Sequence, residues 1–121
     1  MKHLIRIVLV AALFQAAFAS AADPNAPAGS AERGKKLFIK HTCFSCHGTV
    51  GQGGERSAGP KLAPNPFPYV AFAMQVRQPR GVMPRYPAQF ISDQDLADIY
   101  SYVASIPAGP AAKDIPMLKN F

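Results

Sequence analysis

At 121 residues, with a formal charge of +6, no tryptophan and twelve prolines, the chain has the size of one small, loop-rich domain. Its basic residues are scattered rather than massed, which gives no reason to invoke nucleic acid. Beyond the N-terminus, no stretch approaches the roughly 20 apolar residues that a membrane span requires.

The N-terminus reads as a leader. Lys2 and Arg6 precede an apolar run from Ile7 to Phe14, and "AFASAADP" then offers Ala17-x-Ala19 and Ala19-x-Ala21. Charge, apolar core and small residues in that order predict a secretory signal peptide over residues 1–21, cut somewhere between 19 and 22. A cut after Ala21 leaves 100 residues and a charge of +4, because Lys2 and Arg6 go with the leader. The expected mature protein is periplasmic and does not span a membrane. A domain of that size buries a modest share of its surface, so a cofactor or cross-link is expected to support it.

Residues 22–29, "ADPNAPAG", form a linker without periodicity. Ser30 then predicts a helix N-cap with Glu32 in the first turn, and the helix runs to about His41. Gly34 and Phe38 share a face with Leu37 beside them. An interior glycine costs about 1 kcal/mol against alanine, a cost that close approach by another helix would offset. Four glycines between 48 and 54 open a loop that continues to Pro68. "YVAFAMQVRQ" (69–78) predicts a second helix stopped by Pro79, and "PRGVMPRYP" (79–87) is irregular.

Ser92 opens the last helix, with Asp95 three residues on as an acidic variant of the capping box. Leu96, Ile99, Val103 and Ile106 recur at helical spacing with Tyr102 flanking them, and Pro107 ends the pattern. Asp93, Asp95 and Asp98 are expected to serve as cap, dipole and solvated-face charges. Residues 109–121 form a proline-interrupted tail.

The chemistry concentrates in "HTCFSCHGTVGQGG" (41–54), which holds both cysteines, Cys43 and Cys46, with His47 next. Zinc wants four ligands, and outside the leader only His41 remains to add. A redox dithiol wants a helix N-terminus in a βαβ setting, whereas this motif follows a helix with no strand pattern before it. A plain structural disulfide is a further alternative. Cys-x-x-Cys-His is the attachment signature of c-type haem: Cys43 and Cys46 would form thioethers and His47 would reach the iron.

A sixth ligand is sought among Met74, Met83 and Met117. Met74 sits among apolar residues of a helix, where methionine is usually filler, and Met117 lies in the tail. Met83 stands in a loop held by Gly81 and Pro84 that could carry its sulfur to the iron opposite His47. Histidine plus methionine is the electron-transfer pairing, because the thioether favours reduced iron. His41 precedes the motif too closely to reach the opposite face.

These pieces, in this order, resemble a class I cytochrome c over residues 30–107. "GKKLF" resembles the N-terminal helix, "CFSCH" the haem motif, and "AGPKL" the segment after it. "VMPRY" resembles the methionine loop and "DIYSYV" the final helix. The resemblance implies a small all-α fold, about three helices and long loops wrapped around one covalently bound haem, in a domain spanning 30–108. It further implies that the Pro60 carbonyl supports the His47 ring, that Leu62 packs on the haem, and that Gly34 and Phe38 meet Tyr102. Arg85 departs from the family's usual small residue.

The expected function is electron transfer, with no catalytic groups. Two alternatives within or near that reading are an electron-transfer subunit of a periplasmic dehydrogenase and a haem enzyme or gas sensor with an open sixth position. A third is a thiol–disulfide protein without haem. Lys61, Arg77, Arg80 and Arg85 lie in a stretch without acidic residues, so an acidic redox partner is expected to dock there. The protein is expected to be monomeric unless it is such a subunit.

Overall fold

The computed structural model describes residues 23–54 and 58–118. The leader expected at 1–21 lies outside them. Four helices follow in order: α1 (Ala31–Lys40), α2 (Phe44–His47), α3 (Tyr69–Arg77) and α4 (Asp93–Ser105). Two short 3-10 turns, Ala112–Asp114 and Pro116–Leu118, occupy the tail. No strand occurs among the described residues, so the fold is all-α. No described helix is long and apolar enough to cross a membrane.

The caps act where the sequence places them. Ser30 accepts a hydrogen bond from the Arg33 N–H at 3.2 Å, and Ser92 accepts one from the Asp95 N–H at 3.1 Å. Each satisfies a first-turn donor that the helix itself leaves unpaired. The α3 helix ends at Arg77, one residue before the expected stop, with Gln78 as its cap.

The fold is organised by α1 crossing α4. A Cβ at Gly34 would collide with the backbone of Asp98 and stand 2.9 Å from Tyr102 Cβ. Only glycine permits so close a crossing, which accounts for its place in a helix interior. Beside it, the Phe38 and Tyr102 rings meet edge-on at 5.5 Å. On the other side of α4, Tyr69 and Phe72 of α3 each set a ring edge against Tyr100 at 5.3 Å. Between these contacts lies one apolar core that includes Phe38, Phe72, Val76, Ile91, Leu96 and Val103.

Asp98 corrects the sequence reading. Expected on a solvated face, it is 0% exposed. Its carboxylate accepts from the Ser30 N–H at 2.8 Å and from Gln94 Nε2 at 3.2 Å, and it pairs with the Arg33 guanidinium. The close crossing at Gly34 lays the start of α1 over this turn of α4. A carboxylate there receives donors that no α1 residue can satisfy.

Candidate functional site

The cysteine motif forms a turn rather than a long element. Cys43 caps α2, and α2 ends on His47, with Gly48 following in a positive-φ conformation. At four residues this helix is too short to show a period in the sequence. Both ends of the motif are fastened by tyrosine hydroxyls. Tyr86 donates to the His41 carbonyl at 3.3 Å, and Tyr102 donates to the Thr49 carbonyl at 2.9 Å.

His47 is buried, at 8% exposure. Its Nδ1 lies 2.8 Å from the Pro60 carbonyl, the contact that the resemblance implies for this pair. With Nδ1–H donated to that carbonyl, the ring is fixed in one orientation and Nε2 carries a free lone pair.

The glycine-rich loop is what brings Pro60 back. Gly53 N–H donates to the His47 carbonyl at 2.9 Å, and Gly54 N–H donates to the Gly59 carbonyl at 3.1 Å. Gly51 receives both Leu62 N–H and Ala63 N–H, at 2.8 and 3.0 Å. A Cβ at Gly59 would stand 2.6 Å from the Cys46 carbonyl oxygen, and one at Gly54 would be closer still. The loop is therefore pressed against the back of the motif and pinned by hydrogen bonds.

Cys43 and Cys46 are both free and half-buried. Burial, reinforced by the neighbouring Cys46, pushes the Cys43 thiol up to about 11. A redox-active dithiol requires the opposite shift, a thiol poised as thiolate near neutral pH.

Of the methionines, Met74 is 61% exposed and Met117 83% exposed. Met83 is half-buried and packs against the apolar core, as do Cys43, Leu62 and Tyr86. The four residues that the sequence singles out are thus a buried imidazole with one free nitrogen, two free thiols on the turn that precedes it, and a thioether packed, like Cys43, against the core. That donor set fits a covalently tethered haem with one nitrogen and one sulfur ligand.

The basic stretch is less uniform than its sequence suggests. Arg77 donates to the Tyr86 carbonyl and pairs with Asp93, at 2.8 and 2.7 Å. Arg85 Nε donates to the Arg77 carbonyl at 3.0 Å. Arg77 therefore belongs to the scaffold of the 79–87 loop, which leaves Arg80, Arg85 and Lys61 as exposed charges.

Comparison with known proteins follows the same outline. Residues 29–103 match the family model described as cytochrome C oxidase, cbb3-type, subunit III. The chain is 34% identical over 80 residues to the 4-cresol dehydrogenase [hydroxylating] cytochrome c subunit of Pseudomonas putida. That alignment covers 66% of this chain and 65% of the relative, so just under two thirds of the relative's length is spanned. No solved structure matches. The relative is named as the cytochrome c subunit of a dehydrogenase, and the family-model match over 29–103 takes in the cysteine motif, the returning loop and the crossing of α1 and α4. The chain belongs to the cytochrome c family, whose members carry electrons on haem c.

Proposed function

We propose that this chain is an exported carrier of single electrons with one haem of class I type. Cys43 and Cys46 hold the haem through thioethers, and His47 and Met83 are the axial iron ligands. The leader is 1–21, the linker 22–29, the cytochrome domain 30–108 and the tail 109–121. When bound, the haem supplies a one-electron iron couple; the chain's part is to hold it, exclude water and keep both ligands in place. Pro60 orients the His47 ring, the pinned glycine loop supports Pro60, and the core under Cys43 and Met83 keeps the site apolar.

The observation that carries this reading is the His47–Pro60 contact, which leaves one imidazole nitrogen free on the turn that also carries two free thiols. The test is haem retention in the exported protein. Colour is expected to stay with the wild-type polypeptide through extraction by acidified organic solvent, and to be lost from Cys43→Ala/Cys46→Ala. A wild-type protein that surrenders its colour, or that never acquires any, would overturn the proposal.

Similarity to a dehydrogenase's cytochrome subunit supports a second, narrower reading. In it the carrier is the electron-accepting subunit of an exported dehydrogenase. Arg80 and Arg85 beside Met83, with Lys61, would then meet an acidic surface on that partner. Reduction by the partner is expected to slow as salt rises and in Arg80→Gln/Arg85→Gln. A rate indifferent to both would remove the charge-guided docking.

A further inference from the structure

Gln75 lies in α3 with its carboxamide turned to the 79–87 loop. Oε1 accepts from the Arg80 N–H at 3.3 Å, while Nε2 donates to the Arg80 carbonyl at 3.2 Å and reaches Met83 Sδ at 3.8 Å. Between residues 79 and 84 these are the hydrogen bonds that fasten the loop to the body among the described residues. The loop tip has little else to hold it. Gly81 turns at φ 74 with nothing near its Cβ direction, and Val82 is 95% exposed. The far side is anchored separately, where Tyr86 N–H donates to the Val76 carbonyl at 3.1 Å and Arg77 donates to the Tyr86 carbonyl.

We propose that Gln75 is the positioning residue for Met83, holding its sulfur toward the iron and tuning the ligand by donating a hydrogen bond to it. The inference rests on Met83 being the ligand. A thioether sulfur carries two lone pairs, so one can bind iron while the other accepts from Nε2. Donation draws electron density from the sulfur, which weakens its support of ferric iron more than of ferrous iron and favours the reduced state. The two bonds to Arg80 act at the same time on the backbone, and they keep the sulfur from swinging out with the loop. One side chain thus supplies the hydrogen bonds that join a rigid helix to the loop tip among the described residues.

The test compares Gln75→Leu with wild type in the haem-loaded protein, with Gln75→Ala as a second variant whose strong helix propensity preserves α3. At a fixed redox poise the reduced-to-oxidised ratio is expected to fall three- to tenfold, about the span of one net hydrogen bond. Binding of carbon monoxide to the ferrous protein is expected to accelerate at least tenfold. Unchanged ratio and carbon monoxide kinetics in both variants would overturn the role of Gln75. Met83→Ala separates the two claims: its loss of the methionine-to-iron charge-transfer band with Gln75 variants unaffected defeats this inference alone. Survival of the band in Met83→Ala defeats the ligand assignment beneath it.

Discussion

Asp98→Ala is expected to destabilise the haem-loaded protein by roughly 3 kcal/mol, the sum of two or three hydrogen bonds to a charged group discounted for non-additivity. For a domain of this size that is a fall in Tm on the order of 15 °C. The carboxylate receives Ser30 N–H, Gln94 and Arg33, and so joins the first turn of α1 to the middle of α4. Removing it leaves the Ser30 N–H without its partner beside a closely packed crossing. The Arg33 half contributes less, because that side chain is half exposed and its Coulomb attraction is screened. Thermal unfolding followed by circular dichroism measures the effect, and a variant melting within 3–4 °C of wild type, under about 1 kcal/mol, would contradict it.

The same carboxylate predicts a pH limb. Burial alone would raise its pKa, but the hydrogen bonds from Ser30, Arg33 and Gln94 and the Arg33 charge outweigh burial and hold it below its ordinary 3.8. A carboxyl depressed on folding adds stability above its unfolded pKa, and loses it as pH falls through the folded one. Its contribution is therefore constant at neutral pH and declines below about pH 4. In Asp98→Asn that part of the acid limb should be missing.

Met83→Ala carries the largest expected effect on function. On the proposed ligation, removing the thioether takes from ferrous iron the ligand that favours it. The reduced-to-oxidised ratio at fixed poise is expected to drop roughly a hundredfold, about 120 mV for a one-electron couple at 59 mV per decade. The packing share of any stability loss should be small, since Met83 is half-buried at the edge of the core rather than within it. A variant that loses potential but keeps its melting point would mark Met83 as ligand. One that loses stability and keeps its potential would mark it as packing.

Much of this molecule was legible because its signals are local. Ser30 and Ser92 cap helices within three residues, and the Leu96–Ile99–Val103 stripe carries its own period. The haem signature occupies five consecutive residues. What stayed hidden depends on chain segments far apart. Asp98 looks like a solvated charge until α1 is laid across it at Gly34. Arg77 looks like one of several free arginines until the loop returns Tyr86 and Asp93 to it. The hydroxyls of Tyr86 and Tyr102 end on the carbonyls of His41 and Thr49, and a backbone acceptor leaves no mark in a sequence. Gln75 is a polar residue between Met74 and Val76 in a mostly apolar helix, and only the path of the 79–87 loop gives it partners.

The central claim, one covalent haem held between His47 and Met83, is tested most directly by absorption spectra of the exported protein. They are to be recorded oxidised and reduced, for wild type and Met83→Ala. A c-type haem spectrum is expected in both, with a methionine-to-iron charge-transfer band in ferric wild type that is absent from the variant. A colourless wild-type protein would contradict the haem, and a band that persists in Met83→Ala would move the ligand to Met74 or Met117.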